Sequence, residues 1–161
     1  MAWYNELVLI LRHLIDDLDS SSETYDDDRL EEVLIVAAQL MTTQVDFDNS
    51  YTIDVDLHSI SPDPTSAGNK DDDFINLTCI KAACIILTGE AKSLAAQSYT
   101  IKDGPSSISV KGAYDATKNL LDQMKLYLAL AIQHYKAGNS VAGKAILTPY
   151  TSSYVSDRRI F

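Results

Sequence analysis

Between Tyr114 and Tyr135 the sequence repeats every three and then every four residues: Tyr114, Thr117, Leu121, Met124, Leu128, Ala131 and Tyr135. A helix turns once in about 3.6 residues, so this alternation draws one unbroken stripe along a long helix. Such a stripe leaves water only by packing on another helix, which commits the chain to helix-on-helix architecture. Three further stretches supply the partners. Leu7, Leu11, Leu14 and Leu18 mark a first helix over residues 3–18, closed by Asp19 and three serines. Leu30, Val33, Leu34, Ala37, Ala38 and Met41 mark a second, which opens on Asp26, Asp27 and Asp28. Carboxylates suit that position because a helix N-terminus carries partial positive charge. The third opens likewise on Asp71, Asp72 and Asp73 and repeats Ile75, Cys79, Ala82, Ile86 and Gly89. Ile80, Ala83 and Leu87 give it a second apolar side, so it is expected at the centre. The fourth covers residues 113–136.

The remainder breaks this period. Tyr51, Ile53, Val55 and Leu57 alternate with polar residues, the pattern of a half-buried strand. Residues 61–69, with Pro62, Pro64 and Gly68, read as an exposed loop. Residues 99–110 carry a hairpin signal, with Asp103-Gly104 between short alternating runs. Gly138 stops the fourth helix. The expected fold is mainly α: a four-helix bundle with a small β-hairpin and an extended C-terminal arm. Residues 1–138 form the bundle, with the hairpin near 99–110, and residues 139–161 form the arm.

At 161 residues the chain fits a single domain with a real core. It carries 23 acidic against 13 basic residues, which argues against a general grip on nucleic acid. Acid is concentrated between Asp16 and Glu32, whereas the arm carries Lys144, Arg158 and Arg159 against Asp157 alone. An acidic body with a mildly basic arm is compatible with docking of one subunit's arm on the next subunit's body. Cys79 and Cys84 stand five apart on one helix, cannot easily bridge, and read as small buried apolar residues of a reducing compartment. The opening residues lack the positive flank of a secretory signal, and the apolar run 7–15 is too short to span a bilayer. The expectation is a soluble cytoplasmic product.

Several chemical motifs fail on inspection. Gly138-Asn139-Ser140-Val141-Ala142-Gly143-Lys144 has phosphate-loop spacing, but Ala145 stands where a hydroxyl must bind magnesium, and a helix precedes it where a strand is needed. A calcium loop forced onto Asp46, Asp48, Ser50, Thr52 and Asp54 has Tyr51 at the turn glycine and Leu57 at the bidentate glutamate. Asp28 and Glu31 find no answering acid pair on the other helices, and His13, His58 and His134 are scattered. No catalytic, metal or cofactor site is expected, and the chain is expected not to be an enzyme.

Assembly is the better expectation. Nine tyrosines stand against three phenylalanines and one tryptophan, and tyrosine joins apolar area to a polar tip at interfaces. The turn residues Ile101, Lys102, Asp103, Gly104 and Pro105, with Lys144, Tyr150, Tyr154, Arg158, Arg159 and Phe161 of the arm, are the candidate contact residues.

The order of elements resembles the head-to-tail connector proteins of tailed bacteriophages, also called adaptor, head-completion or neck proteins. The resemblance rests on Leu9-Ile10-Leu11-Arg12-His13-Leu14-Ile15-Asp16-Asp17 and on Tyr25-Asp26-Asp27-Asp28-Arg29-Leu30. The helix from Phe74 to Leu87, the Ile101-Lys102-Asp103-Gly104 turn and Ala145-Ile146-Leu147-Thr148-Pro149-Tyr150 complete it. The chain departs from the family in a long inserted segment, residues 45–69. The resemblance implies a virion structural protein of the neck, assembled in the host cytoplasm. It further implies a homo-oligomeric ring of twelve copies that docks on the portal protein, inserts its arm there and continues the DNA channel. Downstream neck or tail proteins would be partners, DNA would pass without specific binding, and no membrane would be involved. Two other classes remain open: an acidic DNA mimic that inhibits a host enzyme, and an all-α metal-dependent nucleotide hydrolase.

Overall fold

A computed structural model of the protein places four helices and one hairpin in the order α1 (Tyr4–Ile15), α2 (Asp27–Gln44), β1 (Thr52–Asp54), β2 (Ser59–Ser61), α3 (Asp72–Thr100) and α4 (Ser107–Asn139). The structure describes residues 3–19, 23–68, 70–100 and 107–139. The fold is mainly helical with a small antiparallel hairpin, as the apolar periods require. α3 is central and packs on α1, α2 and α4. Its 25 residues from Asp72 to Ala96 are long and apolar enough to cross a membrane, with a mean hydropathy of 1.5. Two thirds of that apolar window is buried against the other helices, as befits a helix that is hydrophobic on more than one side.

The core has two connected parts. In one, Leu7 and Leu11 of α1, Leu30, Leu34 and Ala38 of α2, and Phe74, Ile75, Cys79 and Ala82 of α3 interlock. In the other, Met41 and Val45 meet Leu77, Ile80, Cys84 and Leu87, and these meet Leu121 and Leu128 of α4. Each such leucine or isoleucine contributes about 1.5–3 kcal/mol on full burial. The stripe from Tyr114 to Tyr135 is the face that α4 turns inward, with Leu121 and Leu128 buried and the rest half-buried.

α1 stops earlier than its leucine spacing predicts. Asp16 takes a left-handed conformation (φ 59°), and the Asp17 N–H donates to the Arg12 carbonyl at 3.0 Å, a closure common where a left-handed residue ends a helix. Leu18 thereby leaves the stripe and is 51% exposed. The cause is a tertiary contact centred on Arg12, which is only 9% exposed. Its guanidinium donates to Asp17 (2.9 Å), Asp27 (2.6 Å), Glu23 (3.3 Å) and the Tyr25 carbonyl (3.0 Å). Asp17 in turn accepts from the N–H groups of Thr24 (2.8 Å) and Tyr25 (3.2 Å). This node ties the end of α1 to the start of α2. The Asp26–Asp28 cluster stands where expected, with Asp27 and Asp28 in the first turn and Asp26 at the N-cap position, although the Asp26 side chain makes no capping bond.

The hairpin does not lie where the Asp-Gly signal places it. Tyr99 and Thr100 belong to α3, and Ser107, Ile108, Ser109 and Val110 belong to α4. An alternation of four residues fits a helix as well as a strand, and Val110 stands four before Tyr114, on the repeat of the long helix. The hairpin is formed instead by residues 52–61: β1 lies in the segment expected to be a single strand, and β2 runs from beyond it into the start of the expected loop. β1 and β2 pair antiparallel with Ile53 opposite Ile60. The chain reverses at residues 55–58 because the Asp54 carboxylate accepts from the N–H groups of Asp56 (3.1 Å) and Leu57 (3.0 Å), a local bond aspartate makes readily. Val55 and Leu57 are consequently exposed. The loop that follows is anchored too, since Pro64 is fully buried and its carbonyl accepts from the Asp71 N–H at 3.0 Å.

Candidate interaction surface

Helix lengths decide what is left uncovered. At about 1.5 Å per residue α4 is about 50 Å long, while α1 and α2 reach only about 18 Å and 27 Å. The short helices cannot cover the long one, and α4 rests chiefly on α3. One face of α4 therefore stays open to solvent. Ala113, Ala116, Leu120, Gln123, Tyr127, Leu130, His134 and Ala137 follow one another at three and four, and all are exposed. Until Ala137, each stands one residue before a member of the buried stripe. Leu120, Tyr127 and Leu130 are 43%, 57% and 45% exposed. Apart from Gln123 and His134 the line is alanine, leucine and tyrosine, so it offers apolar area to a second helix. The signal available in the sequence is the apolar character of Leu120, Tyr127 and Leu130 beside the buried stripe.

Near the C-terminal end of α4 this face becomes a groove. Ile10 and Leu14 of α1 form one wall, Tyr127, Ala131 and His134 of α4 form the other, and Leu77 and Ile80 of α3 form the floor. Its volume is about 510 Å³, with Asp73 at one edge and Gly138 at its rim. A neighbouring hollow is bordered by Asp48, Asp71, Asp72 and Asp73 with Lys70. Lys70 is engaged there by Glu6 (2.6 Å) and Asp72 (3.4 Å), so the acids outnumber the single cation.

An aromatic cluster holds this end of the groove in place. The Tyr51 ring stacks on Phe74 with centroids 4.0 Å apart, and Phe47 lies edge-on to Phe74 at 5.1 Å and tilted against Tyr135 at 5.5 Å. The Tyr135 hydroxyl accepts from the Asp48 N–H at 3.0 Å. Asp71 is the polar centre of the cluster. One carboxylate oxygen accepts from the Phe74 N–H (2.9 Å), which caps α3, and the other from Tyr51 (2.7 Å) and Asn49 (3.0 Å). Burial and the bond to Asp71 push the Tyr51 phenol well above its ordinary range. Replacing Asp71 with alanine removes a cap worth about 0.5–2 kcal/mol and strands two donors. Asp71→Ala is expected to lower stability by about 2 kcal/mol and to bring the Tyr51 titration down in pH. Spectroscopic pH titration of the tyrosines checks the second effect, and an unmoved high-pH phenol would count against the assignment.

Burial also holds the two thiols and the Tyr25 phenol in neutral form. Burial raises the Cys79 thiol to about 12, and the thiol donates weakly to the Leu7 carbonyl at 3.6 Å. Cys84 is raised by burial as well, and both cysteines are free and buried. Burial and donation to Glu90 (2.7 Å) raise Tyr25 to about 12. Protonated thiols and phenols are hydrogen-bond donors, not nucleophiles. Among the described residues no group of three or more His, Cys, Asp or Glu side chains could hold a metal ion. The contact candidates Ile101, Lys102, Asp103, Gly104, Pro105, Lys144, Tyr150, Tyr154, Arg158, Arg159 and Phe161 lie outside the described residues.

Comparison with known proteins gives no match: no family model, no curated protein and no solved structure.

Proposed function

We propose that the chain is a structural subunit that assembles with copies of itself, as a ring component of a tailed-bacteriophage head-to-tail connector. One observation supports the assembly reading above the others: the large apolar side chains Leu120, Tyr127 and Leu130 lie exposed along one side of α4. A stripe of alanine, leucine and tyrosine, interrupted by Gln123 and His134, offers a neighbouring helix apolar area along part of its length. When such a face meets a different surface of the next copy, repetition closes a ring if the rotation between copies divides a full turn, and runs on as a filament if it does not. The neck role and the portal as partner come from the resemblance in element order. An acidic wall suits a passage for DNA, because it offers few cations to clamp the phosphates.

The test is the mass of the full chain in solution, alone and with portal protein, by light scattering and electron microscopy. Rings or other closed multimers are expected. Leu120→Glu combined with Leu130→Glu is expected to reduce them to monomers while helix content stays unchanged, since both side chains are exposed in the single chain. A parent chain that stays monomeric with and without portal protein, or a charged variant that assembles as before, would end the reading.

A further inference from the structure

We infer that residues 144–150 of one copy lie in the groove between α1 and α4 of a neighbouring copy. The inference rests on the assembly reading and names what one subunit contributes to the next. The α1 wall and the floor are apolar (Ile10, Leu14, Leu77, Ile80), the α4 wall sets Ala131 among Tyr127, His134 and Tyr135, and Asn76 and the acidic Asp73 add polar groups. The chain carries a complementary segment: Lys144 is followed by Ala145, Ile146, Leu147, Thr148, Pro149 and Tyr150. Ile146 and Leu147 match the apolar floor, and Lys144 matches Asp73 and the acids of the adjoining hollow. Pro149 disfavours helical backbone at the residue before it, so the segment suits an extended course along a groove.

Size and position point the same way. A groove of about 510 Å³ accommodates a few side chains, which fits one short segment and leaves residues 151–161 for another partner. α4 stays helical through Gly138 to Asn139, with no left-handed glycine there to turn the chain back. Within the described residues the helix therefore runs on to the rim of its own groove at Gly138 without turning back into it. Residues 140–143 then span up to about 14 Å before Lys144.

Cross-linking of the full chain tests this. Two variants are made, one carrying His134→Cys on the groove wall and one carrying Leu147→Cys, and they are mixed and treated with a short bis-maleimide. Native Cys79 and Cys84 are buried and stay protonated, so background reaction is low. A hetero-cross-link is expected, with a yield at least about tenfold above that of Val36→Cys on the exposed side of α2, because docking raises effective concentration. Adding Asp73→Lys to the groove variant is expected to cut the yield and make it insensitive to salt. Multimers that form with no groove cross-link overturn the inference and leave the assembly reading standing. A cross-link that appears only when both cysteines sit in one chain also overturns it, since the arm then serves its own groove. A monomeric parent chain overturns both.

Discussion

Arg12→Met is expected to lower the free energy of unfolding by about 3 kcal/mol, because it leaves Asp17 buried without its cation. Loss of one partner from a buried pair commonly costs about 3–5 kcal/mol. The lower figure applies because Asp17 keeps the N–H groups of Thr24 and Tyr25. At roughly 2–4 °C per kcal/mol for a chain of this size, Tm falls by roughly 6–12 °C. Glu23 and Asp27 contribute little to that loss, since their carboxylates are 41% and 71% exposed and water takes the place of the guanidinium. The double variant Arg12→Met with Asp17→Asn is expected to recover part of the loss, since the stranded charge is gone, and a double-mutant cycle measures that coupling.

The same node sets an acid limit. Asp17 titrates below its ordinary range, held down first by the Thr24 N–H and then by Tyr25 and Arg12, against the opposing effect of burial. A carboxyl with a depressed folded-state pKa contributes stability that is present above its unfolded value, near 3.9, and is lost as pH falls through the folded value. Parent protein is therefore expected to lose stability progressively below about pH 4, and Asp17→Asn to lose that part of the slope. An Arg12→Met protein within about 1 kcal/mol of the parent would reduce the node to a surface ion pair.

Arg12 also shows where sequence reasoning stops. In the sequence it interrupts an apolar run, and nothing local says that the interruption points inward. Its partners lie 5, 11 and 15 residues away across the connection between helices, and only the packing of α1 on α2 brings them together. The four helices were legible because their apolar stripes use local spacing, and the expected stripe of α2 is buried in full, joined by Ile35. The hairpin was not, for a related reason. Asp103-Gly104 is the stronger turn pair in isolation, whereas the real reversal has neither Gly nor Pro. It depends on the Asp54 side chain and on His58 at φ 47°. Uncovered surface is harder still to read, because exposure depends on the relative lengths of elements. The second stripe of α4 became recognisable only once α1 and α2 proved too short to cover it.

Phe74→Ala is expected to cost about 4 kcal/mol, near the middle of the range for a large aromatic removed from a core. Phe74 is fully buried in the first turn of α3 and joins two things that sequence keeps apart. On one side it belongs to the core shared by α1, α2 and α3. On the other it carries the Tyr51 ring, stacked at 4.0 Å, and the edge of Phe47 at 5.1 Å, contacts worth about 0.5–1.5 kcal/mol beyond area burial. The loss is therefore expected to spread unevenly. Amides of the Ile53–Ile60 pair should exchange with solvent much faster, because Tyr51 precedes β1 directly and its ring anchors the hairpin to α3. Amides in the middle of α2 should follow global stability alone. Tyr135 should also lose order through Phe47, which loosens the acidic end of the groove while its Ile10 and Leu14 wall stays in place. Hydrogen exchange resolves these three responses. Equal acceleration at all three places would mean that the cavity weakens the core as a whole and that the aromatic cluster is no anchor. A cost below about 2 kcal/mol would mean that neighbouring side chains close over the vacated space.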